Sequence, residues 1–173
     1  MRSSLRVIVR RGLASLLFLP AAVLAVGSDQ PWEVQSDSYE ILLDQRQITY
    51  VGNVVASQGE YRIRASRLRA YLNEKNEIIR LEADGSAATQ AELEALNQPQ
   101  ETRLFGDRLL YDMRADKVTA RGHTRLFRGT DTMDAHELVY NLTDEKVVAM
   151  RNTQERVRVV MYPEGTKPGS PIP

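Results

Sequence analysis

The 173-residue chain contains no cysteine. A thiol nucleophile, a cysteine zinc site, a disulfide framework and a lipid-modified cysteine are therefore all excluded. The charge is balanced, with 23 basic and 23 acidic residues, and aromatic residues make up only 6% of the chain. Nucleic-acid binding needs a basic face, which a balanced chain gives no reason to expect. We therefore expect no nucleic-acid partner.

Residues suited to catalysis or metal binding are also few. The two histidines, His123 and His136, have no partner at ligand spacing. Acidic residues surround His136, but an internal repeat replaces this group with unrelated side chains: Asp131, Asp134, His136 and Glu137 correspond to Tyr61, Arg64, Ser66 and Arg67. A nucleophile elbow, a phosphate-binding glycine loop and a convergent carboxylate pair are all missing. The sequence thus predicts a protein that is not an enzyme and uses no cofactor or metal.

The N-terminus has the pattern of a secretory signal. Four arginines within the first eleven residues precede an apolar run at residues 12–26, and small residues follow it. The run is shorter than the roughly 20 residues that span a bilayer, and it contains Pro20. We predict a cleaved signal peptide at residues 1–27 and an exported mature protein; the alternative is an uncleaved membrane anchor.

The mature chain contains an internal repeat with a spacing of 70 residues. The matched positions are Thr49, Gly52, Gly59, Ala65, Leu68 and Leu72 with Thr119, Gly122, Gly129, Ala135, Leu138 and Leu142. Self-similarity at a fixed period indicates a repetitive architecture. A shorter half-unit recurs as well, with three apolar positions two residues apart followed by a polar turn such as 73–76, 114–116 or 143–145.

The period of the apolar residues predicts β-strands. Apolar residues two positions apart place their side chains on one face of a sheet, and the residues between them lie on the solvent-exposed face. The repeat reads as strand, a turn at Gly52 and Asn53, strand, a turn at Gly59, and strand. Many short strands with one wet face indicate an all-β antiparallel architecture. Residues 89–96 favour a helix by propensity, with a strand and turn as the alternative.

Two segments are predicted at the ends of the sheets. Residues 32–36 and 156–162 are the first and last candidate strands, and each would leave an edge without a partner. The tail at residues 163–173 is rich in proline and glycine and is predicted to be flexible. We therefore place the folded domain at residues 28–162.

A basic strand is the strongest charge feature. Its members are Arg62, Arg64, Arg67 and Arg69. We interpret it as an outward face balanced by Glu74, Glu77, Glu82 and Asp84, with contact to an anionic partner as the alternative.

Several motifs, in their order and spacing, resemble one family. They are DQP at 29–31, Val34 with Ser36 and Asp37, ITYVGNVVASQG at 48–59, ASRL at 65–68, the region around Gly85, LLY at 109–111, VTARG at 118–122 and VVAM at 147–150. Together they resemble the LptA, or OstA-like, family of periplasmic bridge proteins of lipopolysaccharide export. The resemblance covers nearly the whole mature chain, although residues 87–96 are more polar and alanine-rich than is usual there.

The resemblance implies a fold and a function. The fold is a β-jelly roll of two facing antiparallel sheets, open at both ends. The function is to bind lipopolysaccharide acyl chains in an apolar groove, to oligomerise head to tail, and to bridge the two membranes. Implied partners are lipopolysaccharide, further copies of the chain, an LptC-like inner-membrane protein and an LptD-like outer-membrane translocon.

Period-2 inward positions give the candidate groove residues, and the resemblance adds ligand contacts at Trp32, Val34, Tyr111 and Met113. The full set is Trp32, Val34, Ile41, Ile48, Tyr50, Val54, Ile63, Leu68, Tyr111, Met113, Leu126, Leu138 and Tyr140. The residues predicted for edge-strand oligomerisation are Trp32, Val34, Val157, Val159 and Met161. For each groove residue, ordinary core packing is the alternative. For the whole protein, the alternatives are an LptC-like anchored component and a structural β-sandwich without transport function.

Overall fold

The computed structural model describes residues 30–163, which fold into twelve strands without a helix. The strands are β1 Glu33–Gln35, β2 Ser38–Leu42, β3 Gln47–Gln58, β4 Tyr61–Leu72, β5 Ile78–Asp84, β6 Ala91–Ala95, β7 Thr102–Gly106, β8 Arg108–Asp112, β9 Lys117–Arg128, β10 Asp131–Asn141, β11 Lys146–Met150 and β12 Arg158–Val160. The predicted all-β class is confirmed. The predicted signal peptide at 1–27 and the predicted tail, apart from Pro163, lie outside the described residues.

Four long strands are shared by two antiparallel sheets. The first sheet has the order β2-β3-β4-β5-β8-β9-β10-β11. The second has the order β1-β3-β4-β6-β7-β9-β10-β12. Strands β3, β4, β9 and β10 run through both sheets, so their two halves pair with different neighbours. Both sheets close over one core, which gives the β-jelly roll that was predicted.

The predicted turn at Gly52 and Asn53 is instead a bulge inside one continuous strand. Val51 pairs with Arg67 and Val54 with Ala65, so two residues of β3 face a single residue of β4. A bulge bends its strand and increases its twist. The repeat is geometric, because β9 and β10 have the same irregularity 70 residues later, between Ala135 and Glu137. The predicted turn at Gly59 is confirmed; it has two residues, between the paired Gln58 and Tyr61.

The helix considered at residues 89–96 is wrong, and the alternative with a strand is confirmed. Residues Ala91–Ala95 form β6, which lies between β4 and β7. Ala91 and Leu93 are buried, while Glu92 and Glu94 pair with arginines of β4 and β7. Two-sided strand pairing outweighs the small helix propensity of Ala, Glu and Leu.

Arginine–carboxylate pairs cover the outward faces. Arg69 contacts Glu82 and Asp84, as the sequence predicted. For Arg62 and Arg64 the prediction was wrong, because Glu92 and Glu94 on β6 balance them rather than Glu74 or Glu77 in the β4–β5 turn. Residues 30–163 contain no helix long and apolar enough to cross a membrane.

Candidate functional site

Three rows of inward side chains cross the sheets from edge to edge, because paired residues of neighbouring strands point to the same face. Two rows belong to the first sheet: Ile41, Ile48, Ala70, Leu81, Tyr111, Val118, Tyr140, Val147; and Tyr39, Tyr50, Leu68, Ala83, Leu109, Ala120, Leu138, Ala149. The third belongs to the second sheet: Val34, Ala56, Ile63, Leu93, Leu104, Leu126, Met133, Val159. All 24 positions are apolar or tyrosine.

The centre of the interior is closed. Leu68 and Leu138 are completely buried, and Leu81 is 2% exposed. Side chains from both sheets, among them Ile63, Leu81 and Tyr111, leave a cavity of only about 10 Å³ between them. That is near the minimum for one water molecule. A ligand larger than a water molecule therefore fits at the centre only if the sheets move apart.

The predicted groove residues fall into three groups. Six are buried in the core: Val54, Ile63, Leu68, Tyr111, Leu126 and Leu138. Six are half-buried and pack against it: Trp32, Val34, Ile48, Tyr50, Met113 and Tyr140. The last, Ile41, is on an inward row but is 48% exposed, because β2 pairs with β3 on one side and no other described strand lies on its outer side. Ile41 therefore lies where the inward row meets the open edge of the first sheet.

The apolar interior becomes accessible at the edge formed by β1 and β2. Tyr39 and Ile41 are exposed on β2, and Tyr39 stacks at 6.3 Å from Tyr50. The indole N–H of Trp32 is buried and has no acceptor among residues 30–163. The ends of the inward rows are therefore accessible at this edge to solvent or to a neighbouring molecule.

The opposite edge, formed by β11 and β12, has the same character. Val147 and Ala149 continue the inward rows on β11, and Val159 continues the third row on β12. The exposed apolar side chains here include Val148, Met150, Val157, Val159 and Met161. Among the strands of residues 30–163, β12 pairs only with β10 and β1 only with β3, so the predicted unpaired strands at opposite ends are confirmed.

Sequence reasoning missed several inward residues near the edges. They are Met133, Val147 and Ala149. Extending the period-2 pattern of the candidate groove residues through the hairpins to the outermost strands would have found them. It was not a sufficient signal alone, because short edge strands have weak patterns.

Three tyrosines line the side on which the two sheets part, opposite the bulges. Burial, followed by the neighbouring Tyr140, raises the pKa of Tyr61 to about 12. Burial, followed by Asp116, raises the pKa of Tyr111, whose hydroxyl donates to Asp116 Oδ1 at 3.2 Å. All three phenols therefore stay neutral at physiological pH. Arg128 lies at the end of β9 in the second sheet and contacts Glu145 of the β10–β11 turn in the first sheet at 3.4 Å. This ion pair connects the two sheets on their open side.

The histidines lie outside this interior. Nδ1 of His123 bonds Asp107 Oδ2 at 2.8 Å on the surface, and that bond with the charge of Asp107 raises the pKa of His123. His136 contacts Asn152, while Asp134 and Glu137 pair with arginines of β9. Within the part of the chain that the structure describes, no group of three potential metal ligands converges.

Two facing antiparallel sheets, bent at repeated bulges around an interior that is apolar from edge to edge, define the class as an OstA-like β-jelly roll. Residues 33–146 match the model of the LptA/(LptD N-terminal domain) LPS transport protein family. The chain belongs to this family, as its motifs predicted.

Individual relatives agree with the assignment. The chain is 24% identical over 148 residues to the lipopolysaccharide export system protein LptA of Escherichia coli K12, covering 84% of this chain and 78% of that protein. The LptA of Shigella flexneri is similar to the same extent. The fold is similar to the crystal structure of LptH, the LptA-homologous periplasmic component of the lipopolysaccharide transport device of Pseudomonas aeruginosa. That similarity has a TM-score of 0.69, 22% identity, and coverage of 78% of this chain and 96% of LptH.

Proposed function

We propose that the protein is a periplasmic carrier without enzymatic activity. It binds the acyl chains of lipopolysaccharide between its two sheets and bridges the inner and outer membranes through head-to-tail oligomers. The observation that carries this proposal is the set of inward rows, which run from one free edge to the other without a charged side chain.

The free energy of binding comes from removing acyl chains from water. Each buried methylene contributes about 0.8 kcal/mol, so about ten methylenes contribute about 8 kcal/mol before the costs of association. Edge-to-edge stacking of copies would join their inward rows, and the ligand could then pass from one copy to the next without meeting water. Transit of this kind requires binding and release only.

Entry to the centre requires the sheets to separate. Many inward positions there are alanines, including Ala56, Ala70, Ala83 and Ala120, so contacts across the interior are few for the area covered. On the open side, the two sheets are connected by the ion pair between Arg128 and Glu145, whose side chains are 58% and 65% exposed. Exposed ion pairs contribute little to stability. An arriving acyl chain would replace the apolar contacts that opening breaks.

The proposed partners follow from the two free edges. One edge would receive an LptC-like inner-membrane protein and the other an LptD-like translocon, with further copies of the chain between them. Periplasmic localisation is supported by the predicted signal peptide and by the description of the Pseudomonas LptH as a periplasmic component.

Site-specific photo-crosslinking in cells making lipopolysaccharide tests the carrier function. A photo-reactive residue at Tyr50, near one edge, and another at Tyr111, at the centre, are expected to label lipopolysaccharide. Matched positions on the outward faces of the same sheet, Arg69 and Arg108, serve as controls. Labelling from the outward positions alone would contradict binding between the sheets.

A further inference from the structure

The two free edges carry opposite charge although the chain as a whole is neutral. From the start of β1 to the end of β2 there are three acidic residues, Glu33, Asp37 and Glu40, and no basic residue. From the start of β11 to the end of β12 there are four basic residues, Lys146, Arg151, Arg156 and Arg158, and one acidic residue, Glu155. The formal charges are thus −3 at the first edge and +3 at the second.

These edge charges differ from those inside the sheets. On the inner strands, basic side chains find carboxylates on the next strand, as in Arg64 with Glu92 or Arg121 with Glu137. Within residues 30–163, none of the edge charges forms an ion pair, and all are exposed. An edge residue lacks a neighbouring strand on one side, so a strand of a second molecule added there could supply an ionic partner.

The strand directions allow a second copy to supply it. Each sheet has eight strands in strict antiparallel alternation, so β11 of one copy can pair with β2 of the next, and β12 with β1. If the inward rows stay aligned, Lys146 lies diagonal to Glu40 and Arg158 diagonal to Glu33, on the outward faces. Diagonal positions are within reach of long side chains.

Geometry alone leaves a competing arrangement. Two β1–β2 edges, or two β11–β12 edges, could also meet antiparallel about a two-fold axis, which would end the stack and turn the open sides in opposite directions. Like charges would then face each other across the junction, whereas the mixed junction brings −3 against +3.

We propose that opposite edge charges select the head-to-tail, mixed junction over the two-fold junctions. This inference rests on the head-to-tail oligomers of the proposed function. It also defines what other proteins must present: a partner at the β1–β2 edge offers a basic strand edge, and a partner at the β11–β12 edge offers an acidic one. In this arrangement the apolar rows provide the affinity between two copies, and the edge charges determine which two edges pair.

The test uses the purified mature chain and measures oligomer size by sedimentation. Reversing one edge, as Glu33→Lys with Glu40→Lys or as Lys146→Glu with Arg158→Glu, is expected to raise the protein concentration for half-assembly about tenfold at low salt. Mixing the two reversed proteins, or combining all four substitutions in one chain, is expected to restore assembly. At 1 M salt, where the Debye length is about 3 Å, the difference from the wild type should largely disappear.

Two controls separate this inference from the proposed function. Arg114→Glu reverses an exposed charge in the β8–β9 turn and is expected to leave assembly unchanged. Val159→Asp places a charge on an inward row at the edge and is expected to shorten the oligomers. If Val159→Asp shortens them while the edge reversals have no effect, selection by charge is overturned and strand addition stands. If the wild-type chain stays monomeric at every concentration, both are overturned.

Discussion

The backbones of two aspartates, Asp37 and Asp107, bond to the long strands β3 and β9 at their bulges. The backbone N–H of Asp37 donates to the carbonyl of Gly52 at 3.0 Å, and Asp107 makes the same bond to Gly122. Both glycines have positive φ, +82° and +72°. The bends orient the halves of β3 and β9 in different sheets, so the interior depends on a few backbone atoms at these positions.

Space at Gly122 is more restrictive than its backbone conformation. A Cβ at Gly122 would lie 2.2 Å from Asp107 Oδ2, whereas the nearest atom to a Cβ at Gly129, which also has positive φ, is 3.7 Å away. We expect Gly129→Ala to cost about 1–2 kcal/mol for the left-handed backbone alone, and Gly122→Ala about 3 kcal/mol because of the added clash. Urea unfolding of both variants measures this, and equal losses would show that the clash is relieved without cost.

The repeat also provides a pH-dependence test. Hydrogen bonding to Asp107 raises the pKa of His123 above 6.5, so its stabilisation is complete below pH 6.5 and is lost as the pH rises through the raised pKa. The first repeat has Asn53, whose Nδ2 donates to Asp37 at 2.9 Å. We expect His123→Asn to remove this pH dependence of the urea midpoint between pH 5.5 and 8, and Asn53→His to add to it. An unchanged slope in His123→Asn would assign the dependence to other groups.

At the level of elements, β6 is stabilised by its neighbours. Its sequence alternates alanine or leucine with glutamate, a pattern that alone is compatible with helix and strand. Glu92 is 8% exposed and contacts Arg64 at 3.3 Å and Arg103 at 2.6 Å, so one carboxylate joins β4, β6 and β7. Those arginines are far away in the sequence, which is why local propensity failed at this segment.

Neutralising Glu92 tests how far ion pairs position β6. We expect Glu92→Gln to lower the free energy of unfolding by about 1.5 kcal/mol, because it weakens charged hydrogen bonds to two arginines. Glu101→Gln is the matched control, since Glu101 is 67% exposed and lies 3.8 Å from Arg103. It is expected to change stability by less than about 0.5 kcal/mol. Equal effects of the two substitutions would mean that the β6 carboxylate contributes no more than a surface charge.

For the whole molecule, the sequence correctly predicted the β-jelly-roll architecture and many of the residues that point inward. Period-2 positions such as Leu68 and Leu138 identified rows that the pairing confirms, because side-chain alternation is a local property. It could not distinguish Leu68, which is completely buried, from Ile41, which is exposed, because that difference depends on strand order. It also could not show that the centre is closed, because the distance between facing sheets is not encoded in the pattern of either strand.

The closed centre predicts that stability and ligand binding oppose each other. Leu81 is on β5 and its side chain lines the small central cavity. Leu110, on the neighbouring strand β8, is half-buried on the outward face. We expect Leu81→Ala to lower the free energy of unfolding by about 3 kcal/mol. Because fewer contacts are then broken when the sheets separate, the variant should bind a dansyl-labelled fatty acid about fivefold more tightly, which corresponds to about 1 kcal/mol less work of opening. Leu110→Ala should leave binding unchanged, and equal affinities of Leu81→Ala and the wild type would show that acyl chains bind without opening the centre.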